Sequence, residues 1–286
     1  MEFRLNTHGA DKLRTLTCIS TERGQEVASV LVMGKNEAVL IDAQWTLANA
    51  LRVTAEILET GLDLTAIYTT HAHPDHYFGM GHIAEYFPKA KLLALPEVAR
   101  VINNQFSDKM DYWGPKIGRN NICTKEVQLE SLTENVIWLE GERIEIIPHV
   151  MGDLKYNSAV YIPSIKTLYG SDVLFNDAHM FTCEITEDGK QEWLRDIERL
   201  RALGAETVIP GHARPGMPFD DSCFTFTRDY LLATEEAIRA THSAAEFYYF
   251  MWQRFPKANY LDSNEMNAEV YKGGRVWDWD DESDNK

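Results

Sequence analysis

The chain is 286 residues long and 44% hydrophobic, with 28 Lys and Arg against 44 Asp and Glu for a formal net charge of −16. That size supports one large domain, or a domain with an appendage, and the acidic balance argues against nucleic acid or an anionic membrane as partner. Cys18, Cys123, Cys183 and Cys223 form no C-x-x-C pair and read as reduced thiols of a cytoplasmic protein rather than an all-cysteine zinc site, while no signal-peptide pattern and no apolar run of transmembrane length is present.

Residues 14–20 and 27–33 are β-like. A turn at Gly34-Lys35-Asn36-Glu37 leads into a third strand, 38–42, so the start of the chain predicts an antiparallel meander ending at Asp42. Leu47, Leu51, Ala55 and Leu58 recur at helical spacing through 46–60, and Gly61 ends the helix. A strand at 64–69 runs into Thr70-His-Ala-His-Pro-Asp-His-Tyr-Phe-Gly79. A short helix over 80–87, a strand at 90–95 and a helix over 97–106, opened by Pro96, follow. Periodicity weakens from Ser107 to Lys125, which reads as a long excursion whose Tyr112 and Trp113 either line a pocket or pack back on the body.

Strands are expected at 135–138, 143–147, 158–162, 167–170 and 207–209, with an amphipathic helix over 190–203 carrying Trp193, Ile197 and Leu200. Each half therefore holds several strands and helices that could lie outside them. Two stacked sheets with outer helices satisfy that order. Residues 220–256 contain no Gly or Pro before Phe255 and read as helical. Their aromatic cluster (Phe247, Tyr248, Tyr249, Phe250, Trp252) suits core packing or a subunit interface. The acidic end from Trp277 reads as a mobile tail.

The chemistry concentrates in the stretch 70–79. His71 and His73 are two apart, so in an extended segment both imidazoles point to one side. Asp75 and His76 follow a proline-initiated turn and can reach back toward them. Imidazole and carboxylate are the usual ligands of Zn²⁺ and similar cations. Downstream, His149, Asp172 and His212 each follow a predicted strand.

The H-x-H-x-D-H motif, with His149, Asp172 and His212 in that order, resembles the signature of the metallo-β-lactamase superfamily, over roughly residues 14–215. The resemblance implies an α/β (α+β) fold, a four-layer αββα sandwich over 1–216, with a C-terminal helical extension at 217–272 and the acidic tail at 273–286. It implies two metal ions, zinc with iron or manganese as options. His71, His73 and His149 would hold one, Asp75, His76 and His212 the other, and Asp172 would bridge them. Asp42 would support the site from behind, Asp75 would handle a proton, and His179 would contact substrate or stabilise an oxyanion. His8, His82 and His242 read as surface or packing residues.

The implied activity is hydrolysis by metal-bound hydroxide of a carboxylic ester, lactone, thioester or amide of a small, partly apolar substrate, a glyoxalase II-like thioesterase included. Alternatives are a mononuclear iron persulfide dioxygenase-like or phosphodiesterase member, and a non-catalytic metal-binding module. The partners implied are a small molecule and a second copy through the C-terminal aromatic helices, with no nucleic acid and no membrane. One departure is visible. Many members set the third His in Gly-His-Ser/Thr-x-Gly, whereas here the stretch reads Pro148-His149-Val150-Met151-Gly152-Asp153.

Overall fold

In the computed structural model, which describes residues 1–7 and 12–277, the chain opens with four antiparallel strands: β1 (Glu2–Asn6), β2 (Arg14–Ile19), β3 (Ala28–Met33) and β4 (Glu37–Ile41). His8 and the tail beyond Trp277 lie outside the described residues. Every residue of β3 is buried, as expected of a strand covered on both faces. Helix α1 (Leu47–Thr60) begins where Thr46 Oγ1 accepts the Asn49 amide, and ends at Gly61, whose φ of 68° suits a residue without Cβ.

Helix α1 falls within the span read from its leucine spacing, but the leucine stripe is not the face that is buried. Ala50, Val53 and Ile57 turn inward, while Leu51 and Leu58 are exposed. Both stripes have helical spacing, and only the sheet beneath decides between them.

Parallel pairing then extends the sheet from β4 through β5 (Asp63–Tyr68), β6 (Lys91–Ala94) and the short β7 (Glu130–Ser131), giving seven strands in chain order. Between β5 and β6 lie α2 (Pro74–Tyr77) and α3 (Met80–Tyr86); α4 (Pro96–Ile117) precedes β7. The stretch from 107 to 117, expected to be irregular, continues α4. Its inward face runs through Ile102, Gln105, Phe106 and Lys109, a helical spacing hidden because two of the buried positions are polar. Pro115 falls in the last turn of α4, where it has no amide hydrogen to give the carbonyl four residues before it.

The second sheet is β8 (Val136–Leu139), β9 (Glu142–Val150), β10 (Asn157–Ile162), β11 (Thr167–Tyr169) and β13 (Thr207–Ile209), in spatial order β13-β11-β10-β9-β8. A separate two-stranded ladder pairs β12 (Phe175–Asn176) with β14 (His212–Ala213). Strand alternation assigns the two faces of β10. Val160 and Ile162 enter the core shared with the first sheet, and Ala159 joins a second cluster beneath α5 (Glu187–Arg201) and α6 (Ser222–Ala240). The layers are therefore helix, sheet, sheet, helix.

The helical stretch after residue 220 is two helices. Helix α6 stops at Ala240, and α7 (Ala244–Arg254) restarts where Ser243 Oγ accepts the Glu246 amide. Phe247 is buried in the second core, whereas Tyr249 and Trp252 stack on each other at the surface. Helix α8 (Leu261–Lys272) follows.

Candidate metal centre

The rim of the sandwich, where strands end and irregular backbone begins, gathers four of the chain's histidines and three buried acids. After β5, residues 69–72 are buried, and Pro74 takes the first helical position of α2, which swings Asp75 and His76 back over the same point. His71, His73, Asp153 and Asp172 bring one ligand atom each to within 4.8 Å of one another, and so do Asp75, His76 and His212. In the first group His73 Nδ1 is 2.9 Å from Asp153 Oδ2, and His71 Nε2 is 3.8 Å from Asp153 Oδ1 and 3.6 Å from Asp172 Oδ2.

In the second group Asp75 Oδ2 lies 3.3 Å from His212 Nε2 and 3.6 Å from His76 Nε2. Asp172 reaches this group too: Oδ1 is 3.2 Å from His76 Nε2, and Oδ2 is 3.1 Å from His212 Nε2.

Each imidazole is fixed by the nitrogen that faces away from the cluster. The outward N–H of His76 donates to Asp42 (2.8 Å), that of His212 to the Gln25 carbonyl (2.6 Å), that of His71 to the Thr70 hydroxyl (3.0 Å) and that of His73 to Glu184 (3.4 Å). Such partners set the tautomer and leave the inward nitrogen with a lone pair. Asp42 thus occupies the supporting position expected of it. Fully buried, it also accepts from the Thr70 amide and the Tyr169 hydroxyl.

Positive φ values cluster around this point. Gln25, Asp42, Ser171 and Tyr260, with φ between 48° and 65°, each touch a site histidine. Residues held in that region cost on the order of 1–3 kcal/mol each and concentrate at functional sites.

The donor set fits a divalent cation. His71 Nε2 is buried without a hydrogen-bond partner, and His76 Nε2 and Asp172 Oδ1 face each other without hydrogen-bond geometry. Buried polar atoms are otherwise almost always satisfied. Electrostatics point the same way. Burial opposes charge on His73, His76 and His212, yet the carboxylates overcome it and raise all three pKa values, His212 to about 10. Burial likewise opposes charge on Asp172, yet His212, His76 and His71 hold its carboxyl well below the usual range. Burial, reinforced by Asp172, pushes Asp153 up to about 7 against the pull of His73. A buried cluster this rich in carboxylate recruits positive charge, which a metal ion supplies.

The structure brings His71, His73, Asp75, His76, Asp172 and His212 together and leaves two predicted residues outside. His149 lies within β9, which continues to Val150 instead of ending at 147. Its ring is 62% exposed and paired with Glu97 at the surface. Asp153, 2% exposed, reaches the cluster instead. The signal was Gly152-Asp153, a Gly followed by a potential ligand as in the family's Gly-His pair, but with an acid in the His place.

His179 is buried under α6 with Nδ1 facing the Tyr230 hydroxyl (3.0 Å), and burial lowers its pKa to about 4. It is not among the residues lining the cavity over the cluster, so a substrate contact has no support in the geometry. Glu184, which precedes α5, carried no sequence signal.

That cavity is walled by Trp45, Trp113, Phe181, Tyr260 and Trp277, with His73, Asp75, Asp153, Asp172 and His212 among its polar wall. Trp113 thus lines a pocket, one of the two roles left open for it. Lys109, buried on α4, donates to the Ala72 carbonyl (2.8 Å) and ties that helix to the metal loop.

The family model described as "Metallo-beta-lactamase superfamily" matches residues 22–212. Among solved structures, a metallo-beta-lactamase family protein from Thermus thermophilus is similar at 19% identity, covering 91% of this chain and 93% of that one, with a TM-score of 0.65. A metallo-beta-lactamase from Pontibacter korlensis is similar at 21% identity, covering 81% and 99%, with a TM-score of 0.55. At those identities the structural likeness speaks to fold alone. The family match extends over about two thirds of the chain and spans the loops that bear His71 to His76, Asp172 and His212, and by it the chain belongs to the metallo-beta-lactamase superfamily.

Proposed function

We propose that this protein is a metal-dependent hydrolase acting on a carboxylic ester, lactone, thioester or amide of a small, partly apolar substrate. His71, His73 and Asp153 would hold one divalent cation, Asp75, His76 and His212 a second, and Asp172 would reach both. The observation that carries the reading is the convergence of four imidazoles, each backed on its outward nitrogen, with three carboxylates; His73, His212 and the three carboxylates line one cavity. Bound there, the cations supply Lewis acidity and activate water as a nucleophile near neutral pH.

The chain's own residues do the rest. Asp75 lines the cavity, so its carboxylate can take a proton from attacking water and return it to the leaving group. Burial favours its neutral form, but His76 and His212 outweigh this and hold its pKa below the usual range, so it stays ionised as that role requires. Trp45, Trp113, Phe181 and Tyr260 exclude bulk water and offer an apolar surface. Two imidazoles and carboxylate oxygen in each group suit zinc, with iron or manganese as options.

A second reading has one observation in its favour. His71, His73 and Asp153 together resemble the two-His, one-carboxylate set of mononuclear iron oxygenases, which would fit a persulfide dioxygenase-like member. Metal content per chain, an oxygen-consumption assay and turnover on an ester, lactone, thioester and amide panel decide between the two. Two metals and hydrolysis are expected; one iron with oxygen uptake would replace the first reading by the second.

The four cysteines, all free thiols, support a reducing, cytoplasmic setting. Among the described residues no helix is long and apolar enough to cross a membrane. Self-association through the exposed, stacked Tyr249 and Trp252 remains our expectation for the C-terminal helices, and sedimentation of the parent against a Trp252→Glu variant tests it.

A further inference from the structure

The apolar wall of the cavity is completed by the last described residues of the chain. After α8, the Gly273 amide donates to the Glu269 carbonyl (2.9 Å), and the Arg275 amide donates there too (3.1 Å). The Arg275 guanidinium donates to the Tyr112 hydroxyl on α4 (2.8 Å). This strap delivers Trp277 to the cavity mouth. Its indole packs edge-on against Phe181 (5.1 Å between centroids) and sits 6.5 Å from Trp113, which in turn meets Trp45 at 6.0 Å. Trp277 Nε1–H donates to Glu184 Oε2 (2.9 Å), the same oxygen that faces Nε2 of His73 (3.4 Å). One carboxylate therefore holds both the aromatic wall and the outward nitrogen of a residue at the metal cluster.

We propose that the ring of Trp277 determines substrate specificity: it closes an aromatic slot with Trp113, Phe181 and Trp45 that selects a flat, apolar acyl or leaving group. The proposal rests on the reading of this cavity as the substrate site of a hydrolase. The slot is built from the loop before α1, α4, the loop before α5 and the C-terminal strap, none of which supplies a ligand of the cluster. Selection of the apolar group is thus separate from the groups that hold metal. A planar ring entering between these walls gains offset or edge contacts that a small alkyl group cannot make.

The test uses the full-length, zinc-loaded protein and calorimetric binding of acetate, benzoate and 2-naphthoate, whose carboxylates are common to the series while the apolar body grows. In the parent, 2-naphthoate binds about tenfold or more tighter than acetate. Trp277→Ala abolishes most of that ratio and leaves acetate affinity within about twofold, whereas Trp277→Phe, which keeps a ring but not the N–H, retains most of it. An unchanged ratio in Trp277→Ala overturns the proposal. So does an equal loss in Trp277→Phe, which would assign the effect to the Glu184 hydrogen bond rather than to the apolar wall. Aryl and alkyl ester turnover is run alongside. Absent turnover with an intact, Trp277-dependent binding series defeats the hydrolase reading and not the slot; turnover whose aryl preference survives Trp277→Ala defeats the slot and not the hydrolase.

Discussion

The carboxylate of Asp153 stands 2.9 Å from Nδ1 of His73, in the position for which the sequence pattern nominates the imidazole of His149. The exchange follows from strand length. Because β9 runs on to Val150, His149 points to the surface, and the turn that follows the strand carries Asp153 inward. The first half of the site is thereby more acidic, with two imidazoles facing two carboxylates. Asp153→Ala is expected to lower bound metal from two equivalents toward one, measured by elemental analysis of protein dialysed against trace zinc. Asp153→His should restore two and shift preference from manganese toward zinc, because imidazole is the softer donor. His149→Ala should change neither, and its stability should move by about 0.5 kcal/mol or less, as for other exposed ion pairs.

Asp42 makes a different kind of prediction, since it holds a ligand without facing the cavity. Its carboxylate accepts from His76 Nδ1, the Thr70 amide and the Tyr169 hydroxyl, all in full burial. Asp42→Ala strands these donors at about 1–3 kcal/mol each and should destabilise the apo fold by several degrees or prevent its accumulation. Asp42→Asn preserves shape, so it should fold. With its carboxylate gone, zinc affinity by competition with a chelator should fall about 10–100-fold, the range for outer partners of metal-bound histidines.

How much of this could be read from the sequence depends on how local each interaction is. His71 to His76 are legible because six consecutive residues set their own geometry. Asp172 and His212 are legible because strand ends in this architecture point to one rim. Asp153 is hidden by the commonness of acids in turns and by a strand three residues longer than its apolar run. The inward face of α4 is hidden because Gln105 and Lys109 occupy buried positions. Glu184 and Trp277 meet across 93 residues of chain, and no periodicity reports a contact of that range. The leucines of α1 show the converse: a stripe of correct spacing identifies a helix but leaves open which side the sheet will cover.

Glu26 gives the chain a pH dependence of stability outside the metal cluster. Its Oε1 accepts from Asn259 Nδ2 (2.6 Å), while Oε2 is buried without a hydrogen-bond partner. Burial pushes its pKa up to about 7, against the pull of Asn259 and His212. A folded pKa above the unfolded value means the neutral form favours folding. That contribution is complete below about pH 4.5 and is lost as pH rises through about 7. Glu26→Gln, neutral throughout, should match the parent near pH 5 and exceed it at pH 8 by on the order of 2 kcal/mol, less than the full shift because solvent screens part of it. Thermal melts of both proteins across that range, with metal saturating, check the sign; a parent that gains on Glu26→Gln as pH rises would contradict it.

Gly211 and Gly189 should answer the same substitution with opposite signs. In the Pro-Gly-His turn that presents His212, the Gly211 amide donates to the carbonyls of Ser171 (2.8 Å) and Leu174 (2.9 Å). A Cβ placed there would overlap the Asp172 carboxylate and the Ser171 backbone. The requirement is steric, with neither backbone nor ligand free to yield. Gly211→Ala should therefore displace Asp172, cost about 1–3 kcal/mol as other overpacked sites do, and weaken zinc binding at least about tenfold. Gly189 lies in the first turn of α5, where an added Cβ finds its nearest neighbours at 3.4 Å, an ordinary contact. Gly189→Ala removes backbone freedom from the unfolded chain and should raise stability by about 0.4–1 kcal/mol without changing metal content. Denaturant melts and zinc titration of the two variants side by side separate a glycine needed for close approach to the cluster from one that is merely tolerated in a helix.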